Sequence, residues 1–108
     1  LVNFGEVAAT NEVFADLINA MCDKNNDVRR NACEALEKLC EKATTNEVIA
    51  VLINATGNEY CTVRRKACQV LGNLGEEAAT NEVIAALINA MCDENYYVRW
   101  NACEALGS

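Results

Sequence analysis

Seven cysteines without a single histidine pose the first chemical question in this chain of 108 residues. A zinc site asks for ligand pairs at tight spacing, with thiolates or imidazoles to complete them; no C-x-x-C is present, so no metal is expected. Nucleophilic thiol catalysis needs a base beside the sulfur, and the usual base is missing. Three of the cysteines, Cys33, Cys68 and Cys103, recur at intervals of 35 residues within an apolar stripe. That is the pattern of small buried hydrophobes, so these three are expected to be buried, reduced and unpaired. An odd count that ignores loop spacings points to a reducing, cytoplasmic compartment rather than a secreted disulfide framework. No cofactor and no reaction is assigned, and the chain does not read as an enzyme.

Two other sets of residues have types and spacings that carry chemistry. Arg29, Arg64 and Arg99 share one repeat position, six residues after Asp23, Asn58 and Asp93. They form either an anion-binding row or a structural ladder. The ladder is favoured, because a fork of five donors suits bridging to turn oxygens within and between repeats. The second set is Tyr96, Tyr97 and Trp100, close together in a segment whose earlier copies have Asn26, Asp27 and Arg30, then Cys61, Thr62 and Arg65. Asn31, Lys66 and Asn101 occupy the next varying position. Copies held alike by a shared scaffold differ most where the scaffold does not dictate the residue, and neighbouring aromatics are typical interface anchors. Drift on a solvated face explains the variation as simply.

The elements that must position these groups follow from self-similarity. ATNEV at 9–13 returns at 79–83 and as TTNEV at 44–48, and residues 5–38 match 75–108 at 25 of 34 positions. A fixed period of this size marks a solenoid, whose units bury their apolar faces only by stacking. Each unit holds two amphipathic helices. The first reads Val13, Phe14, Leu17, Ile18 and Met21 from an N-cap at Thr10, with Thr45 and Thr80 as the later caps. After a turn at 23–25 the second is capped by Asn25 or Asn95, with Tyr60 as a weaker start in the middle unit, and its stripe is Val28, Ala32, Ala35, Leu36 and Leu39. Gly5 and Gly75 suit left-handed helix ends, whereas Cys40 at the equivalent place lets the helix end differently or run on. Asn19, Asn54 and Asn89 are read as solvated.

The expected architecture is therefore all-α: one solenoid domain over 1–108, with the end of a preceding repeat at 1–4 and repeats at 5–39, 40–74 and 75–108. Because Leu1 and Phe4 align with Leu36 and Leu39, the chain reads as a piece of a longer array. Nine basic against sixteen acidic residues give a net charge of −7, which opposes phosphate backbones, so nucleic acid is not an expected partner. Nor is a membrane, since no apolar run approaches ~20 residues.

The run from Asp93 to Gly107, DENYYVRWNACEALG, is similar to the second helix of the short HEAT repeats of the phycobilin-lyase type, D-x-D/N-x-x-V-R-x-x-A-A-x-A-L-G. Val28, Arg29, Ala32 and Leu36 match it in the first repeat, and Val63, Arg64, Ala67 and Leu71 in the second. The chain departs from the pattern in the cysteine at the second alanine, in lacking a first-helix proline and in a longer link between repeats. The resemblance implies stacked helix pairs, an arginine ladder, and a concave face of second helices where partners lie. The expected function is a non-enzymatic scaffold for a protein partner, and the residues expected to bind it are those at the varying positions of this face: Tyr96, Tyr97, Trp100, Asn101, Arg65, Lys66, Arg30 and Asn31. Two alternatives stand beside that reading: self-association through exposed repeat ends, and a chromophore-handling module like the lyase relatives.

Overall fold

The computed structural model describes residues 7–42 and 46–107. Among them are six α-helices and no strand: α1 (Val7–Ala20), α2 (Asn26–Lys42), α3 (Asn46–Ala55), α4 (Cys61–Leu74), α5 (Asn81–Ala90) and α6 (Tyr96–Gly107). A short 3-10 helix, Gly75–Ala78, joins α4 to α5. Consecutive helices form three hairpins. Across hairpins, α1, α3 and α5 pack as one layer and α2, α4 and α6 as the other, so the expected α-solenoid is what forms. The core lies between the layers, built from Met21, Leu36, Leu39, Val48, Leu52, Val63, Leu71, Val83, Leu87 and Val98, none more than 5% exposed. No helix among the described residues is long and apolar enough to cross a membrane.

Local chemistry explains most helix starts. The Asn25 side chain accepts from the N–H groups of Asp27 (2.8 Å) and Val28 (3.3 Å), and Asn95 does the same for Tyr97 (2.9 Å) and Val98 (3.2 Å). Thr80 caps α5 by accepting from Val83 N–H at 3.3 Å. Tyr60 makes no side-chain cap, as expected of a phenol at that position. Thr10, however, lies inside α1, which begins at Val7. Ala8 and Ala9 are strong helix formers with nothing to break the helix between them and the threonine, so helix propensity overrides the capping signal. Thr45, Gly5 and the stub Leu1–Phe4 lie outside the described residues.

The second helices end in two ways. With Cys40 buried in the core, α2 runs on to Lys42. Gly75 takes φ 61°, the positive value only glycine adopts readily, but with ψ −131° it leads into the 3-10 turn rather than a left-handed cap.

Burial corrects the expected stripe at the ends of the stack. Cys68 is fully buried, Cys33 half-buried and Cys103 exposed, because only Cys68 has a helix pair described on either side of its own repeat. Val28 is 40% exposed where Val63 and Val98 are sealed by preceding helices, and Ala35 is exposed as well. Burial pushes the Cys68 thiol up to about 11, with the Asp93 charge adding to the effect; Cys33 and Cys22 are also raised, chiefly by burial. Since thiolate and access together govern alkylation, Cys92 and Cys103 are expected to label fast, Cys33 slowly and Cys68 last. Mass spectrometry of partially alkylated native protein checks the order; early modification of Cys68 would contradict this packing.

Candidate interaction face on the second helices

The helix starting at Tyr96 turns Val98 and Ala102 into the core, which forces the aromatic residues outward. Tyr96, Tyr97 and Trp100 are each more than half exposed. Tyr96 is the hub: its ring meets Tyr97 edge-on at 5.4 Å and Trp100 at 5.8 Å. In the structure Tyr97 points across the seam toward α4, where the Arg65 guanidinium lies 5.5 Å from its ring centroid, a cation–π distance. Asn101 donates to the Tyr97 carbonyl at 2.8 Å. A depression of about 390 Å³ on the other flank is lined by Tyr96, Arg99, Trp100, Cys103 and Glu104.

Of the three basic residues expected at this surface, Arg30, Arg65 and Lys66, it is Arg65 that meets an aromatic ring among the described residues. Lys66 donates to Glu37 at 2.5 Å and to Gln69 at 3.1 Å, so its charge is committed to a pair between α2 and α4. Arg30 remains exposed with only a distant contact to Asp27, 3.9 Å, and Asn31 is exposed beside it on α2. A cleft of about 320 Å³ between the second helices is lined by Cys33, Thr62, Arg65, Lys66, Gln69 and Asn101. Asn19, Asn54 and Asn89 are exposed on the first helices.

The repeated arginines turn the other way, into the stack. Each donates to the carbonyl six residues earlier: Arg29 to Asp23 at 2.5 Å, Arg64 to Asn58 at 2.9 Å and Arg99 to Asp93 at 2.7 Å. Arg64 adds a two-point bond to the Asp93 carboxylate of the next repeat, at 2.7 and 3.1 Å, with both side chains nearly covered. Burial by itself would raise the Asp93 carboxyl. Hydrogen bonds from Arg64 and the Asn95 N–H, with attraction from Arg64 and Arg99, outweigh it and hold the group below the usual carboxylate range. The hydrogen bond to Asp93 likewise raises Arg64.

Gly72 escapes the motif reading. A Cβ there would lie 2.8 Å from Ala105 Cβ and 2.9 Å from its Cα, so the α4–α6 seam closes only because the side chain is absent. The signal was available in the repeat alignment. Glu37, Gly72 and Gly107 share one position, and Glu37 spans the first seam through Lys66 where Gly72 closes the second.

Burial, the largest cause for each, shifts the Cys22, Cys33 and Cys68 thiols away from the reactive thiolate form. What the arrangement offers is a two-layer stack with an aromatic and cationic outer surface. Comparison with known families agrees with the stacking. The HEAT repeats family matches residues 49–108, and a single HEAT repeat matches residues 14–43. No curated protein matches the chain. With the longer match covering more than half of its residues, and six paired helices in two layers, the chain belongs to the HEAT repeat family.

Proposed function

We propose that the protein is a non-enzymatic scaffold that binds a protein partner along its second helices, with Tyr96, Tyr97 and Trp100 as anchors. HEAT repeats generally serve as protein-interaction scaffolds, and the observation that carries the reading to this face is the aromatic cluster itself. Three rings in edge contact remain more than half exposed, with Arg65 packed against Tyr97. A rigid aromatic surface loses little conformational freedom on binding, and such groups dominate interface energies. Arg65 and Asn101 border the cluster on the seam side; Arg30, Asn31 and Lys66 extend the surface toward α2.

The test combines placement with energetics. A photocrosslinker at position 97 is expected to capture the partner, while one at position 19 on the first-helix layer does not. Trp100→Ala is expected to weaken that partner by ~2 kcal/mol or more and to leave the melting temperature nearly unchanged, since the side chain lies outside the core. Capture from position 19 alone, or undiminished affinity of the Trp100→Ala protein, would place the binding face elsewhere.

A further inference from the structure

The cleft between the second helices has walls from all three repeats: Cys33 of α2, Thr62, Arg65, Lys66 and Gln69 of α4, and Asn101 of α6. A second depression, of about 260 Å³, shares Gln69 and Asn101 with it and continues past Gly72 and Asn73 to Glu104. From Thr62 to Asn73 helix α4 rises about 16 Å, the length of roughly five residues of extended chain. The lining is polar, and its charges do not cancel. Lys66 is committed to Glu37 at 2.5 Å, so that pair adds no net charge. Arg65 is exposed, and its contact with the Tyr97 ring holds the guanidinium beside the cleft without spending an N–H donor. No carboxylate pairs with it among the described residues. Burial is the largest influence on the Cys33 thiol and raises it; of the charges that act on it, Lys66, Arg65 and Arg29 are cationic and Glu37 is anionic. The field inside the cleft is therefore positive.

We infer that this cleft takes an extended segment of the protein partner carrying a single aspartate or glutamate, whose carboxylate bonds to Arg65 beside Thr62. The inference rests on the second-helix reading above and names what that face recognises. A planar guanidinium offers paired donors that match both oxygens of a carboxylate. One charge then meets one charge. A phosphate would bring a second negative charge close to Glu37, with Lys66 already neutralised, so a carboxylate is the better match. At the far end Glu104 repels further carboxylates, which selects a segment acidic at one position rather than along its length. Between these ends the side-chain amides of Gln69 and Asn73 supply donors and acceptors for peptide groups. The site does not recur at the preceding seam. Arg30, the copy of Arg65, lies 3.9 Å from Asp27 and has Thr62 at the position where Arg65 has Tyr97, so no ring holds it.

Random peptides of about twelve residues, displayed on phage and selected on the full chain, are the probe, followed by calorimetry with the synthetic peptides. Enriched sequences are expected to share an aspartate or glutamate at one position, and its replacement by the corresponding amide to weaken binding by about tenfold or more. Arg65→Gln is expected to cause the same loss, with little added when both changes are combined. Arg65→Glu is expected to bind the peptide in which that acid is replaced by lysine. Bound peptide is expected to slow alkylation of Cys33, which lines the cleft, and not of Cys92, exposed in the turn after α5. Melting curves establish that the variants are folded; should one unfold, the peptide substitutions and Cys33 protection still decide the matter. Peptides that need Trp100 but not Arg65 and leave Cys33 unprotected would overturn this inference while the aromatic anchors stand. Peptides that need Arg65 and protect Cys33 but tolerate Trp100→Ala would uphold it and remove the anchors. A selection that yields no binders, or binders without a shared acidic position, would also overturn it.

Discussion

Replacing Gly72 by leucine is expected to cost ~3 kcal/mol and lower the melting temperature by roughly 13 °C. In a helix interior glycine is a burden of ~1 kcal/mol relative to alanine, so propensity alone would make Gly72→Ala stabilising. The structure reverses that sign. The added Cβ would come within 3 Å of both Cα and Cβ of Ala105, and neither atom is the end of a flexible side chain. Helices α4 and α6 must then separate, which uncovers Ala102 and Leu71 between them. Alanine is therefore expected to lose ~1 kcal/mol net and leucine several times that. Asn73→Ala, exposed one residue along the same helix, supplies the control: it keeps the propensity gain without the clash. Urea denaturation of the three variants measures the differences. A Gly72→Ala protein more stable than wild type would show that the seam is looser than described.

Arg64→Ala is expected to cost ~3 kcal/mol, because it leaves the Asp93 carboxylate at a nearly covered site with its inter-repeat partner gone. The effect should also appear in the pH dependence. The folded-state acidity of Asp93 is strengthened, so its contribution to stability is complete above the unfolded value near ~3.9 and is lost as pH falls through the lower folded value. Other carboxylates titrate over the same range, so the informative quantity is the difference between proteins. The stability gap between wild type and Arg64→Ala is expected to be widest near neutrality and to close as the solution is acidified below about pH 4. Urea midpoints taken at several pH values measure it. A gap that persists unchanged in acid would mean that Arg64 acts through packing of its methylenes and the Asn58 carbonyl rather than through the Asp93 charge.

Arg29 shows why the first seam differs from the second although the motif is the same. Its forward position is filled by Asn58 instead of an aspartate, and the tie between α2 and α4 passes through Lys66 and Glu37. Repeat identity told where the arginines stand; it did not tell which of them reaches a carboxylate. That depends on one residue in the next unit and on the separation of two helices.

By itself the sequence determined the periodic features: two helices per 35 residues, the Asn25, Thr80 and Asn95 caps, and the inward turn of Leu36, Leu71 and Val98. These depend on neighbours within a turn or two of helix, where spacing and residue type are sufficient. Only the tertiary structure decided that Cys103, Ile84 and Ile88 lie open while their copies Cys68, Ile49 and Ile53 are wholly or partly covered, that Tyr97 lies against Arg65 across the seam, and that Gly72 makes a close contact with Ala105. The physical reason is common to all of them. In a stacked array a side chain's environment is supplied by the adjacent repeat, so identical residues in successive copies meet different surroundings, and a pattern read along one chain cannot say what stands across the seam.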